Sequence, residues 1–317
     1  MKIAVLINSA RREADPPDEL VQEIEKLLAA SGHSCTINVC DSIDKSRQCL
    51  DAAKQAKVDA IWIGGGDGTL NNVLNSTVDS EMAYGIIPMG TVNALARSLG
   101  LPLDPLEAAK YLIDAQPVPF DIGTVAGRYF FAYATVGIHA RLFHNIDEDL
   151  KRNWGRVAFW VSGAKTIWNR SRLPKFQLEF TLTPSGHIEN DHGYSLVLSN
   201  LGNFAGFDVV TNDPPASPGY LRLIYFRQNS IVSVLRWFAR LRFLGQTKSA
   251  PQYGQLEKQV TRCKAISRRN MSIQIDGEPI TPSNRRMLEF ESLENKVQIL
   301  LQPPEAERLT PRPGHLV

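Results

Sequence analysis

No stretch of this chain is apolar for long enough to span a bilayer: no uncharged run approaches the roughly 18 residues that a membrane helix requires. Its opening, "MKIAVLIN", lacks the basic segment, long apolar core and small-residue cleavage site of a leader and reads as a first strand. A cytoplasmic protein is therefore expected, with any membrane contact peripheral. Cysteine is scarce. Cys35, Cys40, Cys49 and Cys263 show no C-x-x-C spacing and no accompanying histidines, which excludes a zinc ribbon or a disulfide framework and leaves reduced, half-buried thiols. The G-x-x-x-x-G-K-[ST] phosphate loop is missing, as are internal repeats and any recognisable nucleic-acid-binding module.

What is present suits two domains. At 317 residues, 43% hydrophobic and 21% charged, the chain has the composition of an ordinary globular protein that exceeds a single average core. The net charge of +2 hides a division: residues 1–118 hold 10 Lys/Arg against 16 Asp/Glu, and the remainder holds 25 against 17. The second part is thus suited to face something anionic.

The first third alternates strand and helix. Ile3–Ile7, Thr36–Cys40, Ala60–Ile63 and Tyr84–Pro88 read as strands, Ile3–Ile7 as a continuous apolar run of the kind buried on both faces of a parallel sheet. Between them, Glu19–Ala30 places Leu20, Ile24, Leu27 and Leu28 at helical spacing, with Gly32 where a C-cap belongs. Ser46–Ala56 and Asn93–Leu99 read as further helices. After about Pro117 short strand-like runs dominate: Thr124–Tyr133, Phe176–Thr183, Ser195–Ser199, Leu221–Phe226, Met271–Ile275 and Val297–Leu301. Helical segments are expected near 148–170 and 230–244, and a frayed tail from Pro303. The expectation is an α/β domain with an open parallel sheet over residues 1–118, then a mostly antiparallel β-sandwich over 119–302, whose last strand is free to return to the first domain.

Chemistry concentrates at loops. Gly64-Gly65-Gly66-Asp67-Gly68-Thr69 follows a buried strand and opens a helix. Glycines there let backbone approach a polyphosphate, and the first helical amides point at its charge. Asp67 would repel phosphate unless a cation lies between them, which Mg²⁺ supplies. A second strand-to-helix turn, Gly90-Thr91-Val92-Asn93, is expected beside it, with Thr91 and Asn93 also able to cap the helix. Phe120-Asp121-Ile122-Gly123 sits at the domain join, and Asp276-Gly277-Glu278 reads, taken alone, as a hairpin turn.

Together these segments resemble the diacylglycerol kinase catalytic-domain family, in particular its soluble bacterial lipid kinases. The matching pieces are "GGGDGTLNNVLN" (64–75), "GIIPMGTVNALARSLGLP" (85–102), "FDIG" (120–123), "VLSN" (197–200) and "DGE" (276–278). The resemblance implies a phosphofructokinase- and NAD-kinase-like first domain and an ATP- and Mg²⁺-dependent kinase acting on a lipid hydroxyl. ATP would be held by Asn8, Gly65, Gly66, Asp67, Gly68, Thr69, Gly90, Thr91 and Asn93. Asp276 would accept the hydroxyl proton, and Glu278, Asp121 and Asp67 would form the carboxylate network around the metal, with Asp67 its ligand. G-G-D-G-T also occurs in NAD kinases, and that activity stays open as an alternative, as does a non-catalytic lipid- or nucleotide-binding role.

The sequence departs from the family's pattern in places. Asn8 is followed by Ser9-Ala10-Arg11 without the usual proline, Cys40 stands where a threonine is expected near the adenine, and Pro218 replaces the aspartate that binds a structural metal in several members. No second metal site is expected. Ser230–Leu244, with Ile231, Val234, Leu235, Phe238 and Leu241 on one face, suits either a cover for the sheet or transient contact with an anionic membrane, since residues 230–270 hold nine Lys/Arg and Glu257 alone among acids. No nucleic-acid partner is expected.

Overall fold

The computed structural model describes residues 1–9, 18–137, 140, 174–201, 219–229 and 255–303. The helices expected near 148–170 and 230–244, Pro218 and the tail beyond Pro303 lie outside these residues. The chain divides into two compact units, one from Met1 to Asp121 rejoined at Asn295, the other within Ile122–Glu294.

In the first unit the order is β1 (Lys2–Asn8), α1 (Asp18–Ala30), β2 (Ser34–Cys40), α2 (Ile43–Gln55), β3 (Ala60–Gly65), α3 (Asp67–Thr77), β4 (Ala83–Pro88), α4 (Ala94–Leu99) and α5 (Pro105–Ile113). The strands pair in parallel in the order β2-β1-β3-β4, and residues 298–299 of the last strand of the chain, β15 (Met287–Leu301), add alongside β4. Every residue of β3 and β4 is buried, as their uninterrupted apolar runs require. Ile24 and Leu28 of α1 pack with Val5, Ile7, Trp62 and Leu112 in one cluster. Each such fully buried aliphatic side chain contributes about 1.5–3 kcal/mol. Gly32 ends α1 as expected: its N–H bonds Ala29 O and that of His33 bonds Leu28 O, the paired bonds of a Schellman cap. Helix α2 begins three residues before the expected Ser46, because Ser42 caps it by accepting from Lys45 N.

The second unit is mostly antiparallel. Its strands are the end of β5 (Gln116–Val125), β6 (Arg128–Phe130), β7 (Tyr133–Val136), β8 (Phe176–Leu182), β9 (Ile188–Gly193), β10 (Ser195–Ser199), β11 (Leu221–Phe226), β12 (Gln255–Ser267), β13 (Ile273–Ile275), β14 (Glu278–Ile280) and the start of β15. The ladder runs β14-β13-β7-β10-β11-β12-β15, with β8 attached to β12 and β9 to β8. The single strand expected over Thr124–Tyr133 is instead a hairpin, broken where Ala126 (φ 52) and Gly127 (φ 74) both turn left-handed, as a type I′ turn demands. Strand β12 was not foreseen. A bulge between Val260 and Arg262 shifts its phase, so that Val260 before it and Cys263 and Ala265 after it all face the same core as Phe176, Leu178, Leu223 and Phe290. Among the described residues no helix is long and apolar enough to cross a membrane.

Cys40 closes β2 fully buried, its Sγ 3.4 Å from that of Cys49 on α2. Burial, then contact with Cys49, pushes its thiol up to about 12, and burial also raises that of Cys263. Iodoacetamide near neutral pH is therefore expected to label the half-buried Cys35 and Cys49 well before Cys40 and Cys263. Peptide mass spectrometry gives the ranking, and equal rates at all four would contradict this packing.

Candidate active site

In the first unit, β3 and β4 end side by side, and each runs into a glycine turn. Gly66 precedes α3, and no side chain caps that helix; Thr69 N–H turns back to Gly66 O at 2.9 Å, which leaves the amides ahead of it to a ligand or to water. The two turns meet backbone to backbone. A Cβ on Gly90 would lie 2.6 Å from Gly66 Cα, and one on Gly66 would lie 3.2 Å from Gly90 Cα. Any larger residue at either position would force the turns apart.

Polar side chains fix this arrangement. Asn8, at the end of β1, donates through Nδ2 to Thr69 Oγ1 at 2.8 Å, joining a neighbouring strand to the first turn of α3. Asn93 does not cap α4 with its side chain. In a left-handed conformation (φ 51, ψ 52), it folds back on Gly90, accepting from its N–H at 2.9 Å and donating to its carbonyl at 2.8 Å. Asp67 opens α3, and Leu95 N of α4 lies 3.5 Å from its Oδ1. Burial raises the Asp67 carboxyl above its usual range, and the amides at the start of α4 pull the other way. Asn8, Gly65, Gly66, Asp67, Gly68, Thr69, Gly90 and Asn93 are thus joined within one set of strand ends, with Thr91 exposed in the second turn.

Asp121 plays a different part. It is fully buried in β5, and its Oδ1 accepts from the backbone N–H of Asn295 at 2.8 Å. Asn295 itself is left-handed (φ 50), in the stretch where β15 returns to this unit. Sequence reasoning had no reason to single it out.

In the second unit, Asp276 and Gly277 form the left-handed turn (φ 45 and 88) between β13 and β14. The Asp276 carboxylate is buried and accepts three backbone bonds, from Phe131 N at 2.9 Å, Ala132 N at 2.9 Å and Tyr133 N at 3.0 Å. Asn200 completes this clasp from the other side: its N–H bonds Ala132 O at 2.8 Å and its Nδ2 bonds Phe131 O at 2.9 Å. The irregular link between β6 and β7 thereby has its buried polar groups satisfied by two side chains distant in sequence. Gln274 supports the turn, accepting from Gly277 N at 2.7 Å. Its Nε2 and the hydroxyl of Thr135, the residue opposite it in register, are buried without a hydrogen-bond partner among the described residues. Glu278 is half-buried in β14. Asn200 was legible as the end of "VLSN", whereas Gln274 carried no signal beyond lying two residues before Asp276.

The first unit's residues fit a polyphosphate through bare backbone at two turns beside a helix start that no side chain caps. The fit to a divalent ion is sparser. Among the described residues no three His, Cys, Asp or Glu side chains gather as a metal site. Asp67 is the carboxylate at this turn, and Mg²⁺ is usually held by one or two carboxylates with phosphate oxygens and water.

Two expected outcomes follow from this geometry. Gly90→Ala should weaken ATP binding by one to two orders of magnitude, and more than Gly66→Ala, since its Cβ clashes harder with backbone; calorimetry giving the reverse order would contradict the contact. Asp276→Ala leaves three buried amides unsatisfied and should cost at least ~3 kcal/mol in denaturant unfolding, whereas Glu278→Gln should leave stability within about 0.5 kcal/mol of wild type.

Comparison with known proteins agrees with these features. The diacylglycerol kinase catalytic domain matches residues 2–125. Diacylglycerol kinase of Bacillus subtilis is 25% identical over 295 residues, covering 92% of this chain and 93% of that protein. Diacylglycerol kinase of Staphylococcus carnosus is 27% identical over 218 residues, 68% of each chain. A crystal structure of a diacylglycerol kinase from Bacillus anthracis shares the fold, with a TM-score of 0.72 at 19% identity over 96% of this chain and 98% of that one. Residues 2–125, which carry both glycine turns and Asp121, are thus similar to the diacylglycerol kinase catalytic domain.

Proposed function

We propose that this protein transfers the γ-phosphoryl group of ATP to a hydroxyl of a lipid, diacylglycerol or a relative of it. The observation that carries the reading is the contact of Gly66 with Gly90 beside the uncapped start of α3. A triphosphate is a ligand whose charge suits a helix start that no side chain caps and two glycine turns set side by side. Phosphoryl transfer asks little covalent chemistry of a protein; it needs the phosphates positioned, their charge offset, and a group to take the hydroxyl proton.

The residues divide accordingly. Asn8, Gly65, Gly66, Gly68, Thr69, Gly90, Thr91 and Asn93 would position the phosphates. Asp67 would hold Mg²⁺, which when bound offsets the phosphate charge. Asp276 would accept the hydroxyl proton, oriented by its three amide donors, and Glu278 beside it would stay available to the acceptor. Asp121, bound to Asn295, would hold the strand that carries it and act on the metal surroundings at most through water.

The test is transfer of label from γ-labelled ATP to diacylglycerol in mixed micelles with Mg²⁺. Wild type should label the lipid, Asp67→Asn and Glu278→Gln should each lose roughly 100-fold or more in kcat/KM, and chelation of Mg²⁺ should abolish transfer. No labelling of any host lipid by wild type would refute the proposal. The pH dependence adds a second check. Since Asp67 serves a cation only when ionised and burial raises its pKa, binding of Mg²⁺-ATP should fade on acidification at a pH above the ~3.9 of an ordinary aspartate. Asp67→Asn should flatten that limb. Its effect on stability has the opposite sense: a raised folded pKa favours the fold below the unfolded value and that contribution is lost as pH rises through the folded one.

A further inference from the structure

The outer face of the second unit's sheet changes character along the β12–β15 ladder. Arg262 opposes Glu291 and Lys264 opposes Glu289, ion pairs of 2.6 and 2.8 Å. One rung further the opposed residues are Ile266 and Met287, each 41% exposed. Directly opposed residues of antiparallel strands share a face, so the neutralised pairs give way to an apolar pair in water.

Just beyond it the chain turns, and the turns are basic. Arg268 and Arg269 follow β12, Arg285 and Arg286 precede β15, and Lys175 precedes β8. Hydrogen bonds hold all three segments at one end of the sheet: Ser267 N to Arg286 O at 2.8 Å, Met271 N to Arg285 O at 2.8 Å, and the Ser267 hydroxyl to Lys175 O at 2.9 Å. No Asp or Glu occurs in residues 174–178, 265–275 or 279–288. None of the five cations is in an ion pair with a described residue. The acids that neutralise this face stop at Glu289, one rung before the apolar pair.

We infer that this end of the second unit docks on an anionic lipid bilayer, with Ile266 and Met287 entering the interface and Lys175, Arg268, Arg269, Arg285 and Arg286 lying against the headgroups. An apolar centre ringed by cations that no described acid neutralises is the complement of such a surface. A nucleic-acid backbone offers nothing for exposed aliphatic side chains, and among the described residues the patch has no exposed aromatic to stack on a base. The inference deepens the lipid-kinase reading by naming the surface through which the protein meets its substrate's phase.

Cosedimentation of the full chain with vesicles tests it without ATP. Wild type should pellet with vesicles of phosphatidylcholine mixed with phosphatidylglycerol, release at high salt, and ignore vesicles of phosphatidylcholine alone. Each basic residue near an anionic surface adds about fivefold to partitioning, so Arg268→Gln, Arg269→Gln, Arg285→Gln and Arg286→Gln combined should weaken binding roughly 600-fold. Ile266→Ser with Met287→Ser should weaken it about tenfold. Both variants should keep wild-type transfer to lipid in uncharged detergent micelles. Circular dichroism checks folding; were the quadruple variant unfolded, Arg268→Glu and Arg286→Glu singly should each show the loss. Wild type that pellets equally with both vesicle types, or a quadruple variant that pellets like wild type, overturns the inference. So does equal affinity for duplex oligonucleotide that the Ile266/Met287 variant leaves unchanged. A chain that docks but phosphorylates nothing refutes the kinase reading alone. One that phosphorylates micellar lipid but ignores anionic vesicles refutes docking alone.

Discussion

The first unit depends on how closely two backbone turns can approach. Gly66 and Gly90 touch without side chains between them, and this contact brings the start of α3 beside that of α4. The rest of the arrangement exists to keep it: Asn93 ties Gly90 to its own turn, Asn8 ties Thr69 to β1, and Asp67 lies along the first amides of α4. Strand packing alone would align β3 and β4; it would not set the turns beyond them. The left-handed Asn93 is part of that setting, since residues outside glycine adopt such backbone at a cost and are retained where the surroundings enforce it.

The second unit solves a related problem with side chains. Between β6 and β7 the backbone leaves the ladder, and buried amides and carbonyls outside a ladder must find partners. Asp276 and Asn200 supply them from opposite sides. The acidic residue of the D-G-E turn is therefore fixed by the strand junction it fixes, and its chemistry and its place in the fold are not separable by removing it.

How much of this was legible depended on whether local signals and tertiary demands coincided. The parallel strands were, because Ile3–Ile7 and Ala60–Ile63 are apolar at every position and nothing else buries that way. Gly32 marked the end of α1 correctly. Strand β12 was hidden because Lys258, Arg262 and Lys264 interrupt its apolar positions and the bulge changes their phase midway. Helix α5 went unread although Asp104 caps it, accepting from Leu106 N and Glu107 N, with Pro105 as its first residue. Among site residues, the glycine turns declared themselves by composition. The bonds of Asp121 to Asn295 and of Asp276 to Phe131–Tyr133 span more than 140 positions, and no local pattern encodes them.

The bare start of α3 has a thermodynamic side. A helix whose leading N–H groups have no capping side chain is completed by whichever anion reaches it, so the ligand would supply part of the fold. Folding and occupancy are then linked by mass action, with about 2.7 kcal/mol added when the ligand stands at 100 times its dissociation constant. A protein built this way would be sturdier with that anion bound and would loosen first around α3 when it leaves.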